Sequence, residues 1–69
     1  MTDVKLLESY IRGSGLKRGK LAESLGISMQ ALKKKTTGAR EFKASEIKTL
    51  CTVLGINDPA TVDRIFFAL

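Results

Sequence analysis

The sequence predicts an all-α domain of five short helices packed round one core, and three observations carry that prediction. Apolar residues recur at spacings of three and four, and no segment alternates as a strand would. Helix-capping side chains stand just ahead of several of these segments: Thr2 or Asp3, then Ser28, then Asp58. Glycines close them, at Gly13-Ser14-Gly15, Gly26, Gly38 and Gly55.

The first helix is expected from Asp3 to Arg12, with Val4, Leu7 and Ile11 on one face and Leu6 and Tyr10 widening it. The second runs from Lys17 to Leu25, burying Leu21, Ala22 and Leu25. Gly19 in its first turn is a poor helix residue, and close approach of another backbone is a reason for it to be there. After Gly26, Ile27 plugs the turn into the core, and Ser28 caps a third helix from Met29 to Thr36 or Thr37. The fourth, Ala44 to Leu54, buries Ile47, Leu50, Cys51 and Leu54, with Glu46 complementing the helix dipole. Asp58-Pro59 opens a fifth, whose apolar side is Val62, Ile65, Phe66 and Leu69.

At 69 residues the chain is expected to be a single domain, residues 1–69. It has one cysteine, Cys51, and no histidine, so neither a disulfide nor a His-containing metal site staples it. No cofactor or metal is expected. Met1-Thr2-Asp3 does not open a signal peptide and no stretch is long enough for a membrane span, so a reducing cytoplasm is the expected location. Net charge is +5, unevenly placed. Residues 1–43 hold ten Lys or Arg against four Asp or Glu, whereas residues 44–69 hold two against three. A polyanionic partner at one face accounts for this asymmetry, as does a solvated lysine-rich surface.

The segment Leu21-Ala22-Glu23-Ser24-Leu25-Gly26-Ile27-Ser28-Met29-Gln30-Ala31-Leu32 tips that balance. It reads as two helices joined by a tight turn, the second extended by Lys33-Lys34-Lys35. Such a helix–turn–helix fits the major groove of B-DNA. With Leu32 taken as core-facing, a turn of about 100° per residue puts Gln30 at about 160°, Lys34 at about 200° and Thr37 at about 140°, all outward. Lys33 and Ala31 flank that face, at about 100° and 260°. Met29 and Lys35, at about 60° and 300°, lie beside Leu32, so Lys35 is expected to lay its stem over the core and snorkel its amine outward.

Gln30 can pair with adenine and Lys34 with guanine, Ala31 can touch a thymine methyl, and Ser28 can reach a phosphate or base edge. Lys17, Arg18 and Lys20 at the start of the second helix are candidates for the DNA backbone, as are Arg40 and Lys43 after the third. For each of these five a solvent-facing charge is the alternative. Phe42 is expected to be a core lid. Phe66 and Phe67, about 100° apart, cannot both face one core. Phe66 is expected inward, leaving Phe67, with Leu69, for a partner copy or for a frayed end.

From Leu16 to Phe42 the chain resembles the Cro/repressor class of helix–turn–helix proteins, matching at Leu21–Ser28, Leu32 and Gly38. The five-helix layout and the closing Val62-Asp63-Arg64-Ile65-Phe66-Phe67 are similar to small regulators from phages of Gram-positive bacteria. The resemblance implies a lambda-repressor-like DNA-binding domain that regulates transcription from operator DNA as a homodimer. It implies that Arg18 stands where the class has a phosphate-contacting glutamine, and that Met29, Gln30 and Lys34 stand at base-reading places. Two departures predict a monomer of low stability: Lys35 replaces an apolar residue, with Thr36 left to supply the contact, and Lys43 replaces a Ser or Thr cap.

The expected mechanism is steric occlusion of a promoter by a Cro-like repressor, since the chain leaves no room for a sensing domain. The rival is a protein-interaction module, an antirepressor or antitoxin, working through the apolar carboxy-terminal helix. A stacking platform for RNA is absent, the aromatics being Tyr10, Phe42, Phe66 and Phe67 alone. Neither a phosphate loop nor paired carboxylates point to an enzyme, and none is expected.

Overall fold

The computed structural model describes residues 1–69 as five helices and no strand. They are α1 (Val4–Ser14), α2 (Arg18–Leu25), α3 (Met29–Thr36), α4 (Ala44–Leu54) and α5 (Pro59–Phe66). All five begin where the sequence places them to within a residue, and three of them have local side-chain caps. The Asp3 carboxylate accepts the Leu6 N–H at 3.1 Å, the Ser28 hydroxyl accepts that of Ala31 at 3.0 Å, and Asp58 accepts those of Ala60 and Thr61. The first helix runs two residues past the expected end. Gly13 lies inside it, and Gly15, with φ +73°, is the residue that stops it. The second starts one residue late, with Lys17 as a cap position that offers no acceptor.

Gly26 adopts φ +69°, a conformation that costs any residue with a Cβ. Its N–H returns to the carbonyls of Ala22 and Glu23, and the Ile27 N–H to that of Ala22 at 3.1 Å. This double closure reverses the chain tightly and sets α3 against α2. Ile27 packs on the core as expected. At the far end of α3 the Lys34 carbonyl accepts both the Ala39 and Arg40 N–H groups, at 2.9 and 3.2 Å. Gly38 turns there with φ +86°, and a side chain on it would also meet Val4 of α1.

The core is one cluster to which all five helices contribute: Leu7 and Ile11, Leu21 and Ala22, Leu32, Leu50, and Ile65 with Phe66. Phe42 and Ile56 close it from the loops. Phe42 meets Phe66 edge to face with ring centroids 5.8 Å apart, as a lid would. The two ends of the chain are tied together. The Asp3 N–H donates to the Ile65 carbonyl at 2.6 Å, and the Ala68 N–H to that of Met1 at 2.9 Å. No helix is long and apolar enough to cross a membrane.

Two expectations about α3 and α4 are corrected. Lys35 does not snorkel: it is 4% exposed, and its Nζ donates to both carboxylate oxygens of Glu46, at 2.5 and 2.7 Å. Glu46, 7% exposed, therefore does more than complement a dipole. Its Oε1 also accepts the Lys43 N–H at 2.8 Å, the half of a capping box that the N3 side chain makes, while the bond that a Ser or Thr at position 43 would make to the first turn is absent. Thr36, expected to supply the missing apolar contact, is buried on α3 as well.

Candidate nucleic-acid interface

The outward surface of α3 is set by what its other side must bury. Leu32, Lys35 and Thr36 turn inward. Gln30, Lys33, Lys34 and Thr37 are consequently exposed. The side chains of Gln30, Lys33 and Lys34 have no hydrogen-bond or ion-pair partner within the chain. Thr37 is different. Its hydroxyl donates to the Lys33 carbonyl at 2.8 Å and contacts that of Lys34 at 3.2 Å. With its one proton held by the helix end, it offers an incoming group only an acceptor. Ser28 uses its oxygen as a cap and keeps its proton free. Ala31 is half-buried at the edge of the face.

Met29 corrects the helix arithmetic. It is 51% exposed, not turned towards the core beside Leu32. It borders an open concavity of about 470 Å³ between α1, α2 and α3, with Glu8, Arg18, Gln30 and Lys33 also on the rim. The apolar floor of that concavity is Leu32.

The cations expected at the DNA backbone fall into two groups. Lys17, Arg40 and Lys43 are exposed, with no carboxylate within ion-pair distance. Lys20 faces Glu23 at 3.6 Å, one helical turn on, an exposed pair of little energetic weight. Arg18 is tied to Glu8 of α1, and this contact was not legible in the sequence, because the partners stand ten positions apart on different helices. Nothing caps the first amides of α2 from a side chain, so that end of the helix remains open to an anion.

Gly19 sits among these cations without an internal reason. A Cβ built on it meets nothing within 4 Å, so no protein backbone approaches it closely. Gly19→Ala is therefore expected to raise stability by about 0.5–1 kcal/mol through helix propensity alone. Thermal melts followed by circular dichroism test this, and a lowered Tm would show that the position is not open.

At the opposite end of the chain Phe66, the last residue of α5, is buried, and Phe67, just past the helix, is 57% exposed. Leu69 is exposed with it. No group of three or more His, Cys, Asp or Glu side chains is placed to hold a metal ion. Cys51 packs at the edge of the core, and burial pushes its thiol above the ordinary value.

The architecture is thus an all-helical body with a basic face centred on the third of five helices. Comparison of the chain with protein-family models, with curated proteins and with solved structures finds no match.

Proposed function

We propose that this chain is a sequence-specific DNA-binding transcription regulator of the Cro/repressor class, with α2 and α3 as a lambda-repressor-like helix–turn–helix. The observation that carries the reading is the exposed, unpartnered ridge of Gln30, Lys33 and Lys34, held on a helix whose other side is anchored in the core. An amide and two ammonium groups at that spacing complement the acceptors and donors that base edges in the major groove present. Lys17, Arg18 and Lys20 on one side and Arg40 and Lys43 on the other serve the phosphates. Met29 and Ala31 supply apolar contact, and Ser28 and Thr37 frame the ends of the readout.

A single such helix reads few base pairs, so the active species is a homodimer joined through Phe67 and Leu69. In such a dimer the two α3 helices are expected to lie one turn of DNA apart, about 34 Å. Bound in this way the dimer excludes a competitor from its operator in the bacterial cytoplasm.

Selection from a random duplex library, followed by footprinting, tests the reading. The expected product is a palindrome with half-sites one helical turn apart. Affinity should fall with salt, with a slope of about −0.9 for each phosphate neutralised. Salt-dependent binding without sequence preference would replace the regulator by a non-specific basic protein.

A second reading rests on the other exposed surface. Phe67 and Leu69 lie at the end where the Ala68 N–H holds the Met1 carbonyl, and Met1 is exposed there too. An antirepressor or antitoxin would use that apolar end for a different protein. Its function would survive loss of Gln30 and Lys34, whereas that of a regulator would not.

A further inference from the structure

We propose that Glu8 is a positioning residue that holds the Arg18 guanidinium ready for a DNA phosphate. The proposal deepens the DNA-binding reading above and rests on it. Glu8 is the one carboxylate on the rim of the concavity that Gln30 and Lys33 also border. On a surface selected for charge alone it is a liability, because it repels the phosphates that its neighbours attract.

The geometry gives it a purpose. Both Glu8 oxygens are engaged by a single nitrogen of Arg18, Nη2, at 2.6 and 2.5 Å. A guanidinium carries five N–H donors, so the Nε and Nη1 donors stay free for a second acceptor. The Arg18 side chain is 42% exposed, so those donors are reachable from solvent. Glu8 stands on α1 and Arg18 on α2, so the tether is anchored in a different helix from the residue it holds. Arg18 has many rotamers to lose when it grips a phosphate, and a side chain already pinned loses fewer. Lys17 beside it is exposed and has no such anchor.

The test uses the duplex recovered by selection and, as a control, a random-sequence duplex pool, with dissociation constants from fluorescence anisotropy at fixed salt. Glu8→Ala adds a net positive charge, yet it is expected to bind the selected duplex about three- to tenfold more weakly, the loss for one freed side chain. Glu8→Gln keeps an oxygen for Arg18 and should recover most of that loss. In an Arg18→Ala background, Glu8→Ala should weaken binding no further. Tighter binding by both Glu8 variants overturns the proposal and leaves Glu8 a mere repulsive charge. Weakening that persists without Arg18 also overturns it, by showing a general structural effect. A wild-type chain that prefers no duplex over the pool overturns the DNA-reading assignment itself. A wild-type preference with unimpaired Glu8→Ala overturns the positioning role alone.

Discussion

Lys35→Met is expected to destabilise the fold by about 3–5 kcal/mol, because it strands the Glu46 carboxylate in the core without its cation. A domain of this size has only about 3–10 kcal/mol to lose, so much of the population should be unfolded in mild urea. Lys35 and Glu46 are the only charged side chains among the buried residues, and Lys35 meets both oxygens of its partner. The pair also fixes α3 relative to α4, since one partner stands on each. Lys35→Met combined with Glu46→Gln should regain much of the loss: no charge is then buried, and the amide oxygen can still accept the Lys43 N–H. Urea titrations of the two single variants and the double variant measure the coupling. A Lys35→Met protein with an unchanged midpoint would mean that the pair does not form.

The same pair sets how stability responds to acid. Burial pushes the Glu46 carboxyl up, but the hydrogen bonds from Lys35 and the Lys43 N–H, with the charges of both lysines, outweigh it and leave it below its ordinary value. Asp58 is also held low, by the Thr61 hydroxyl first and then by the Ala60 and Thr61 amides and Arg64. A carboxyl that is more acidic folded than unfolded stabilises fully above its unfolded value and loses that contribution as pH falls through its folded value. Tm should therefore be flat above the ordinary carboxylate range and fall below it. In Lys35→Met/Glu46→Gln the fall should be shallower, with the Asp58 share remaining.

Gln30→Ala/Lys34→Ala is expected to abolish recognition of a selected operator while leaving the fold intact. Each lost bidentate base contact costs about 1–3 kcal/mol. The two residues stand one turn apart, so their losses need not add. Both side chains are exposed and partnerless, so the change in stability should stay within about 0.5 kcal/mol. The discriminating measurement is the ratio of affinities for the selected duplex and a random pool. That ratio should collapse in the double variant. It should be nearly unchanged in Arg40→Ala, which weakens both duplexes alike if Arg40 meets only phosphate. An equal loss on both duplexes in the double variant would demote Gln30 and Lys34 to general electrostatic contacts.

Much of this site was legible because α3 is short and its neighbours are local. Leu32 fixes one direction, and the helix period then sends Gln30, Lys34 and Thr37 the other way, where they are found. The period gives no preference between residues placed symmetrically about Leu32. Met29 and Lys35 lie about 60° to either side of it, with equal geometric claims on the core. Hydrophobicity favours Met29 and the structure buries Lys35, because Glu46 of α4 waits on that side. Arg18 was recognisable as a cation at a helix start, but its tether to Glu8 depends on how α1 crosses α2.

The sequence by itself determined the five helices, their caps and turns, the inward Phe66 and outward Phe67, and the ridge of α3, since each follows from contacts within about four residues along the chain. Only the tertiary structure decided that Lys35 is a core residue, that Met29 is a surface one and that Glu8 restrains Arg18. These depend on which helix faces which, and a buried or paired charge is stable only when a complementary group from a distant segment arrives at hydrogen-bonding distance.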